Sequence, residues 1–133
     1  MDPTTGSSSD QPTLIIADDD PMMRSLLSTQ LAGDFEVVAV AGDATEAIEL
    51  AAEHRPDAAL VDVEMPGGGG LEAVRQICER SPETCIVVLS GDESRDVVLD
   101  LLEAGAIAYK RKGVPGSEIS QALIDSLKTR SKG

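Results

Sequence analysis

Three aspartates, a serine and a lysine fall where short apolar runs of this 133-residue chain end. Asp18 and Asp19 follow Leu14-Ile15-Ile16-Ala17, and Asp62 follows Ala58-Ala59-Leu60-Val61. Ser90 follows Ile86-Val87-Val88-Leu89, and Lys112 lies just past Ile107-Ala108-Tyr109. If the runs are strands of one open parallel sheet, their carboxyl ends share an edge and the five side chains converge. Clustered carboxylates repel unless a cation joins them. Oxygen donors with a hydroxyl and an ammonium beside them suit magnesium and phosphoryl chemistry.

The rest of the sequence supplies elements to hold that edge. Five apolar runs, Thr13–Ala17, Glu36–Ala41, Ala58–Asp62, Thr84–Ser90 and Ala106–Tyr109, alternate with five helical patterns. Their nearly unbroken apolar character predicts strands covered on both faces. Asp20 before Pro21 reads as an N-cap with proline at the first helical position, which leaves Asp20 out of the site. The first helix turns Met23, Leu26, Leu27, Gln30 and Leu31 inward. The second opens on Asp43-Ala44-Thr45-Glu46, a capping-box-like start, and lines one side with Ala47, Ile48, Ala51 and Ala52.

Leu71, Val74 and Ile77 mark the third helix. The fourth, about 93–104, buries Val98, Leu101 and Leu102 and stops at Gly105. The fifth presents Ile119, Leu123 and Leu127. Such alternation with short connections forces right-handed parallel crossovers. The expected fold is α/β: a doubly wound, flavodoxin-like five-stranded parallel sheet of order 2-1-3-4-5, helices on both faces, its switch point where Asp18, Asp19 and Asp62 end. Residues 1–12 read as a polar, Ser-rich leader, 13–128 as one domain, and 129–133 as a loose tail or the start of a linker.

Composition narrows the function classes. A formal charge of −13 argues against direct nucleic-acid binding or an anionic membrane surface. The charge is uneven: residues 105–133 carry a net +4 and the remainder −17. That leaves two readings, a solvated last helix or a basic face offered to a partner. Cys78 and Cys85, both in apolar patterns, read as buried thiols of a reduced compartment. With no membrane-length apolar run and no signal-peptide core, a cytoplasmic location is expected.

Four stretches in order carry a resemblance: Ile16-Ala17-Asp18-Asp19-Asp20-Pro21, Pro56-Asp57-Ala58-Ala59-Leu60-Val61-Asp62-Val63-Glu64-Met65-Pro66, Val88-Leu89-Ser90-Gly91, and Gly105-Ala106-Ile107-Ala108-Tyr109-Lys110-Arg111-Lys112-Gly113. Together they resemble the receiver domain of bacterial two-component response regulators, from about residue 13 to 127. Gly113 stands where many relatives carry proline, which resembles one large subgroup. The resemblance implies that Asp62 accepts a phosphoryl group from a histidine kinase or phosphotransfer protein. It implies that Asp19 touches magnesium (or manganese) directly and Asp18 through water, with the Glu64 backbone carbonyl as a further ligand. Ser90 and Lys112 would each bond a phosphoryl oxygen, and Tyr109 would turn inward on activation.

A downstream effector domain or protein is then expected to read the face of helix four, strand five and helix five, and a phosphorylation-dependent homodimer fits the same scheme. The chain would be a signalling domain rather than an enzyme, either a single-domain regulator or an N-terminal module. By analogy, Met22, Met23, Leu26 and residues 113–116 would face the kinase. Three rivals remain. A degenerate receiver would bind without phosphate. A small magnesium-dependent aspartyl phosphatase would use Glu64 as general acid. A flavin-binding domain lacks its hydroxyl-rich loop and stacking aromatics here.

Dull alternatives attach to single residues: Ser90 as a helix cap with Asp92, Tyr109 as a core aromatic, and His54 as plain surface. Lys112 is preferred over Lys110 and Arg111 by its spacing from Tyr109 and by strand alternation. Gly67-Gly68-Gly69-Gly70 lacks a Walker lysine and reads as a floppy turn. Gly91 is expected to leave room beside Ser90, while Glu64 and Asp92 would tune water's approach.

Overall fold

The computed structural model describes residues 11–65, 69–91 and 95–132. Its elements are β1 (Thr13–Ala17), α1 (Pro21–Leu31), β2 (Glu36–Ala41), α2 (Ala44–His54), β3 (Ala58–Asp62), α3 (Gly69–Arg80), β4 (Cys85–Ser90), α4 (Arg95–Ala104), β5 (Ala108–Arg111) and α5 (Gly116–Lys132). The strands form one parallel sheet of order β2-β1-β3-β4-β5, as expected.

Strand alternation splits the interior in two. Leu14, Ile16, Ala58, Leu60, Val87 and Leu89 face one way and pack with Leu27 and Leu31 of α1 and Ile119, Ala122 and Leu123 of α5. Ile15, Ala17, Ala59, Val61, Ile86 and Val88 face the other way, against alanines 44, 47 and 51 of α2, Ala73, Val74 and Ile77 of α3, and Leu101 of α4. The central strands β1, β3 and β4 are therefore apolar on both sides, which produces their unbroken runs.

Both predicted caps form. Asp20 accepts from Met22 N at 3.0 Å, and Asp43 accepts from Glu46 N at 2.8 Å. The Glu46 carboxylate reaches back to Gly42 N at 2.8 Å, one residue beyond a standard capping box. Gly105 ends α4 with φ +128°, and a Cβ there would overlap the Cys78 thiol. Cys78 is partly buried and Cys85 buried, the Cys85 thiol donating to Ser126 O at 3.6 Å.

Several expectations need correction. Leu26 (49% exposed) and Leu102 (40%) are exposed, as is Gln30, because each lies at the rim of its helix's apolar stripe. β4 starts at Cys85 and β5 at Ala108, later than the apolar runs suggest: Thr84 instead donates to Pro56 O at 2.7 Å, and Ala106 closes the turn after α4 by bonding Leu101 O. Gln11 and Pro12, placed in the leader, join the fold: Gln11 Nε2 donates to Gly33 O at 2.9 Å and Pro12 O accepts from Glu36 N. Helix α5 runs on to Lys132, and Thr129 Oγ1 bonds Asp125 O at 3.1 Å.

Residues 67 and 68 and Asp92 lie outside the described residues. Gly70 is no floppy turn: its N donates to Val63 O at 2.8 Å, and a Cβ would lie 2.5 Å from Val63 Cα and 2.9 Å from Val63 O. The glycine lets α3 start against the backbone just after Asp62. Gly70→Ala is expected to cost about 2 kcal/mol, since no rotamer relieves a backbone overlap. Urea unfolding measures it, and wild-type stability in that variant would contradict the contact's importance.

Candidate phosphoryl site at the carboxyl edge of the sheet

Asp18 lies one residue past β1 and Asp62 closes β3; each is 1% exposed, whereas Asp19 is exposed. One carboxylate oxygen from each of the three falls within 4.8 Å of the others. The topology causes this convergence, because β1 and β3 are neighbours whose following helices leave on opposite faces.

Asp18 is held at three of its four polar atoms. Its N donates to Ala41 O at 3.0 Å, its O accepts from Arg24 Nη1 at 2.7 Å, and its Oδ1 accepts from Asp20 N at 2.9 Å. Its Oδ2 is buried without a hydrogen-bond partner among the described residues. Desolvation raises the Asp18 pKa above its ordinary value. The Asp20 N–H opposes this, the Asp62 charge adds to it, Lys112 opposes it and Asp19 adds again. An all-oxygen cluster with one buried, unpartnered carboxylate oxygen fits a hard divalent cation such as magnesium.

Both oxygens of Asp62 are engaged. Oδ1 accepts from Glu64 N at 3.0 Å, and Oδ2 accepts from Lys112 Nζ at 2.9 Å. Burial alone pulls the Lys112 pKa down, but the hydrogen bond and charge of Asp62, then Asp18 and Glu64, outweigh it and leave it raised. Lys112 reaches the site because its own N–H bonds Ser90 O at 3.0 Å, just past the end of β5. Lys110 instead stands 3.8 Å from Glu118, and Arg111 is exposed.

Ser90 is fully buried at the end of β4. Tyr109 packs against the α2–α3–α4 core, and its hydroxyl is buried without a partner among the described residues. The space beside Gly91 is partly taken: the Glu64 carboxylate lies 3.6 Å from where a Gly91 Cβ would stand, and 3.8 Å from Lys112 Nζ.

Residues 14–124 match the response regulator receiver domain family. The chain belongs to that family. The receiver is 42% identical over 112 residues to a protein-glutamate methylesterase/protein-glutamine glutaminase of Haloarcula marismortui, covering 82% of this chain and 30% of that protein. It is 36% identical over 122 residues to the transcriptional regulatory protein LiaR of Bacillus subtilis, covering 90% and 56%. The chain thus spans less than two thirds of these relatives. Among solved structures, the receiver domain of the putative response regulator NarL from Mycobacterium tuberculosis superposes with a TM-score of 0.84 at 29% identity, covering 89% of this chain and 97% of that one. No helix among the described residues is long and apolar enough to cross a membrane.

Two receiver residues at this edge escape a reading by motif. Gly70 is one. Arg24 is the other, and its signal is weak but physical: a basic side chain in the first turn opposes the helix dipole, so its place there calls for a reason.

The Asp18 environment makes a prediction about the receiver's stability. Because folding raises this carboxyl's pKa, stability is lost as pH climbs from 3.8 through the raised value, and the penalty is complete only above it. Asp18→Asn, which keeps the acceptor for Asp20 N, is expected to raise the melting temperature in EDTA by a few degrees. The stabilisation by magnesium expected of wild type, about 2.7 kcal/mol at a hundredfold excess over Kd, should be absent from the variant. A lower melting temperature for the variant in EDTA contradicts this.

Proposed function

We propose that this receiver accepts a phosphoryl group on Asp62 from the phosphohistidine of a kinase or phosphotransfer protein. One observation carries the reading: a carboxylate 1% exposed, bonded to a lysine ammonium at 2.9 Å, inside a cluster with two further acids. Structural pairing alone needs one acid and one lysine; the two extra acids raise the electrostatic cost and need another purpose.

An Asp62 oxygen forms the new O–P bond as the P–N bond breaks, and the imidazole nitrogen keeps the electron pair. Asp18, Asp19, Asp62 and the Glu64 carbonyl would hold magnesium (or manganese), which supplies charge neutralisation when bound. Lys112 is already within reach of Asp62 Oδ2, and moving to a phosphoryl oxygen keeps its charge beside the same carboxyl. Ser90 would donate its hydroxyl to another. Glu64, with its carboxylate against Lys112 and beside Gly91, lies on the solvent side of Asp62 and would influence how water reaches the acyl phosphate.

The Tyr109 hydroxyl has no partner among the described residues, which disfavours the inward side chain by about 1–3 kcal/mol and lets an outward position compete with it. Phosphorylation that draws Ser90 and the following loop inward would change that balance and reshape the face of α4, β5 and α5. A groove of about 470 Å³ lined by Tyr109, Lys110, Glu118, Gln121 and Asp125 lies on that face and would meet an effector or a second copy. The donor would approach Met22 (79% exposed) and Leu26 (49%), beside a cleft of about 240 Å³ that also includes Asp18, Lys112 and Pro115. The cytoplasm, where such donors act, is the proposed location, and no turnover of an external substrate is proposed.

Intact mass after incubation with magnesium and a small acyl phosphate tests the reading. Gain of one phosphoryl unit is expected. An unchanged mass would favour a phosphorylation-independent binding module, and multiple turnover of a phosphomonoester would favour a phosphatase.

A further inference from the structure

The Asp18 carbonyl belongs to the peptide plane that joins Asp18 to Asp19. Its orientation is set by ψ of Asp18 and φ of Asp19, the two rotations that decide how one acid points relative to the other. Arg24 Nη1 donates to that carbonyl at 2.7 Å. The arginine is anchored by its own N–H to Asp20 O at 3.0 Å, in the first turn of α1.

Its guanidinium is seated against the end of β2. A Cβ on Gly42 would stand 3.1 Å from Nη1 and 3.7 Å from Cζ, with the Glu46 carboxylate 3.8 Å from the same point. Directly before Gly42, Ala41 O receives the Asp18 N–H. The planar head therefore bridges α1, the β1–α1 turn and the end of β2, and it fixes the one peptide plane between two adjacent acids.

We infer that Arg24 is a positioning residue for the acid pair: through the Asp18 carbonyl it holds the Asp18 and Asp19 carboxylates in their converging arrangement, and so sets the affinity for a divalent cation. The inference rests on the cation-site reading above. Two effects of the residue have opposite signs. A positive charge near a cation site weakens cation binding, so plain Coulomb repulsion predicts tighter binding when it is removed. Loss of positioning predicts weaker binding.

The test is calorimetric titration of the whole chain with MgCl₂ alone, with no phosphoryl donor. Arg24→Ala is expected to raise the magnesium Kd about tenfold, as for other groups that orient metal ligands from behind. Arg24→Gln, which retains an N–H donor without the charge, is expected to recover most of that loss. Gly42→Ala keeps the arginine but crowds its seat, and is expected to weaken binding about threefold even if Arg24→Ala folds poorly. Magnesium affinity equal to or tighter than wild type in Arg24→Ala overturns the inference, and so does a glutamine variant as weak as alanine. If wild type itself binds no magnesium, the cation-site reading fails and this inference falls with it; wild-type binding with unaffected variants removes this inference alone.

Discussion

Asp62→Asn is expected to give a folded protein that takes up no phosphoryl group from either a small acyl phosphate or a phosphohistidine donor. Asparagine matches aspartate in shape and can still accept from Glu64 N, so the strand end and its turn persist. An amide oxygen does not form a stable phosphoryl ester, and the other acids cannot substitute. Asp18 is buried and clamped by three neighbours, while Asp19 is exposed and bears no pairing with Lys112. The stability change should be small, because the substitution relieves repulsion with Asp18 while it removes the partner of Lys112. Mass spectrometry of the intact protein, with circular dichroism as the fold control, reads both parts. Phosphoryl uptake by the folded variant would move the acceptor to another residue.

Lys112→Ala is the second large effect. The Lys112 side chain is 29% exposed and the Asp62 side chain it meets is fully buried, so its removal leaves Asp62, among the described residues, with the Glu64 N–H. Breaking a buried pair costs about 3–5 kcal/mol; partial exposure of the lysine reduces that, and a loss of about 1–2 kcal/mol is expected in metal-free buffer. The raised lysine pKa gives the sign: the stabilisation is complete below the ordinary value of 10.5 and fades as pH rises through the higher folded value. At neutral pH the whole effect should therefore appear.

Phosphoryl uptake should slow about a hundredfold, since one fixed charge at the developing anion is gone. Magnesium should bind more tightly to this variant, because no ammonium competes for Asp62, opposite to the change expected for Arg24→Ala. Rapid-mixing kinetics with an acyl phosphate and a magnesium titration measure the two. Unaltered uptake would take Lys112 out of the chemistry.

The sheet is legible in sequence because its three central strands bury both faces and must be apolar throughout. Asp20-Pro21 and Asp43 mark helix starts by local hydrogen bonds that need no tertiary context. Helix rims are harder. Leu26 and Leu102 fit an apolar stripe by spacing, yet which edge of a stripe meets the sheet depends on how the helix rolls, and both lie outside. The end of α5 is similarly hidden, since lysine, threonine and serine neither propagate nor stop a helix decisively.

At the site, the acids and Lys112 were legible because strand ends dictate their convergence. The orienting contacts were not. Arg24 acts on a backbone carbonyl and Gly70 through absence of a side chain, and neither leaves a motif. Spacing favours Lys112 over Lys110, and the cause of its place beside Asp62 is tertiary: β5 ends at Arg111, and the bond from Lys112 N to Ser90 O turns the residue to that edge.

The central claim is that Asp62 accepts a phosphoryl group inside a magnesium-bearing acid cup. A crystal structure grown with magnesium and beryllofluoride tests it most directly. Beryllofluoride is expected on an Asp62 oxygen, with a metal ion held by Asp19, Asp62 and the Glu64 carbonyl, Asp18 in its hydration shell, and Lys112 and Ser90 on the fluorines. An empty pocket, or the three carboxylates turned apart around a lysine still bound to Asp62, would contradict it.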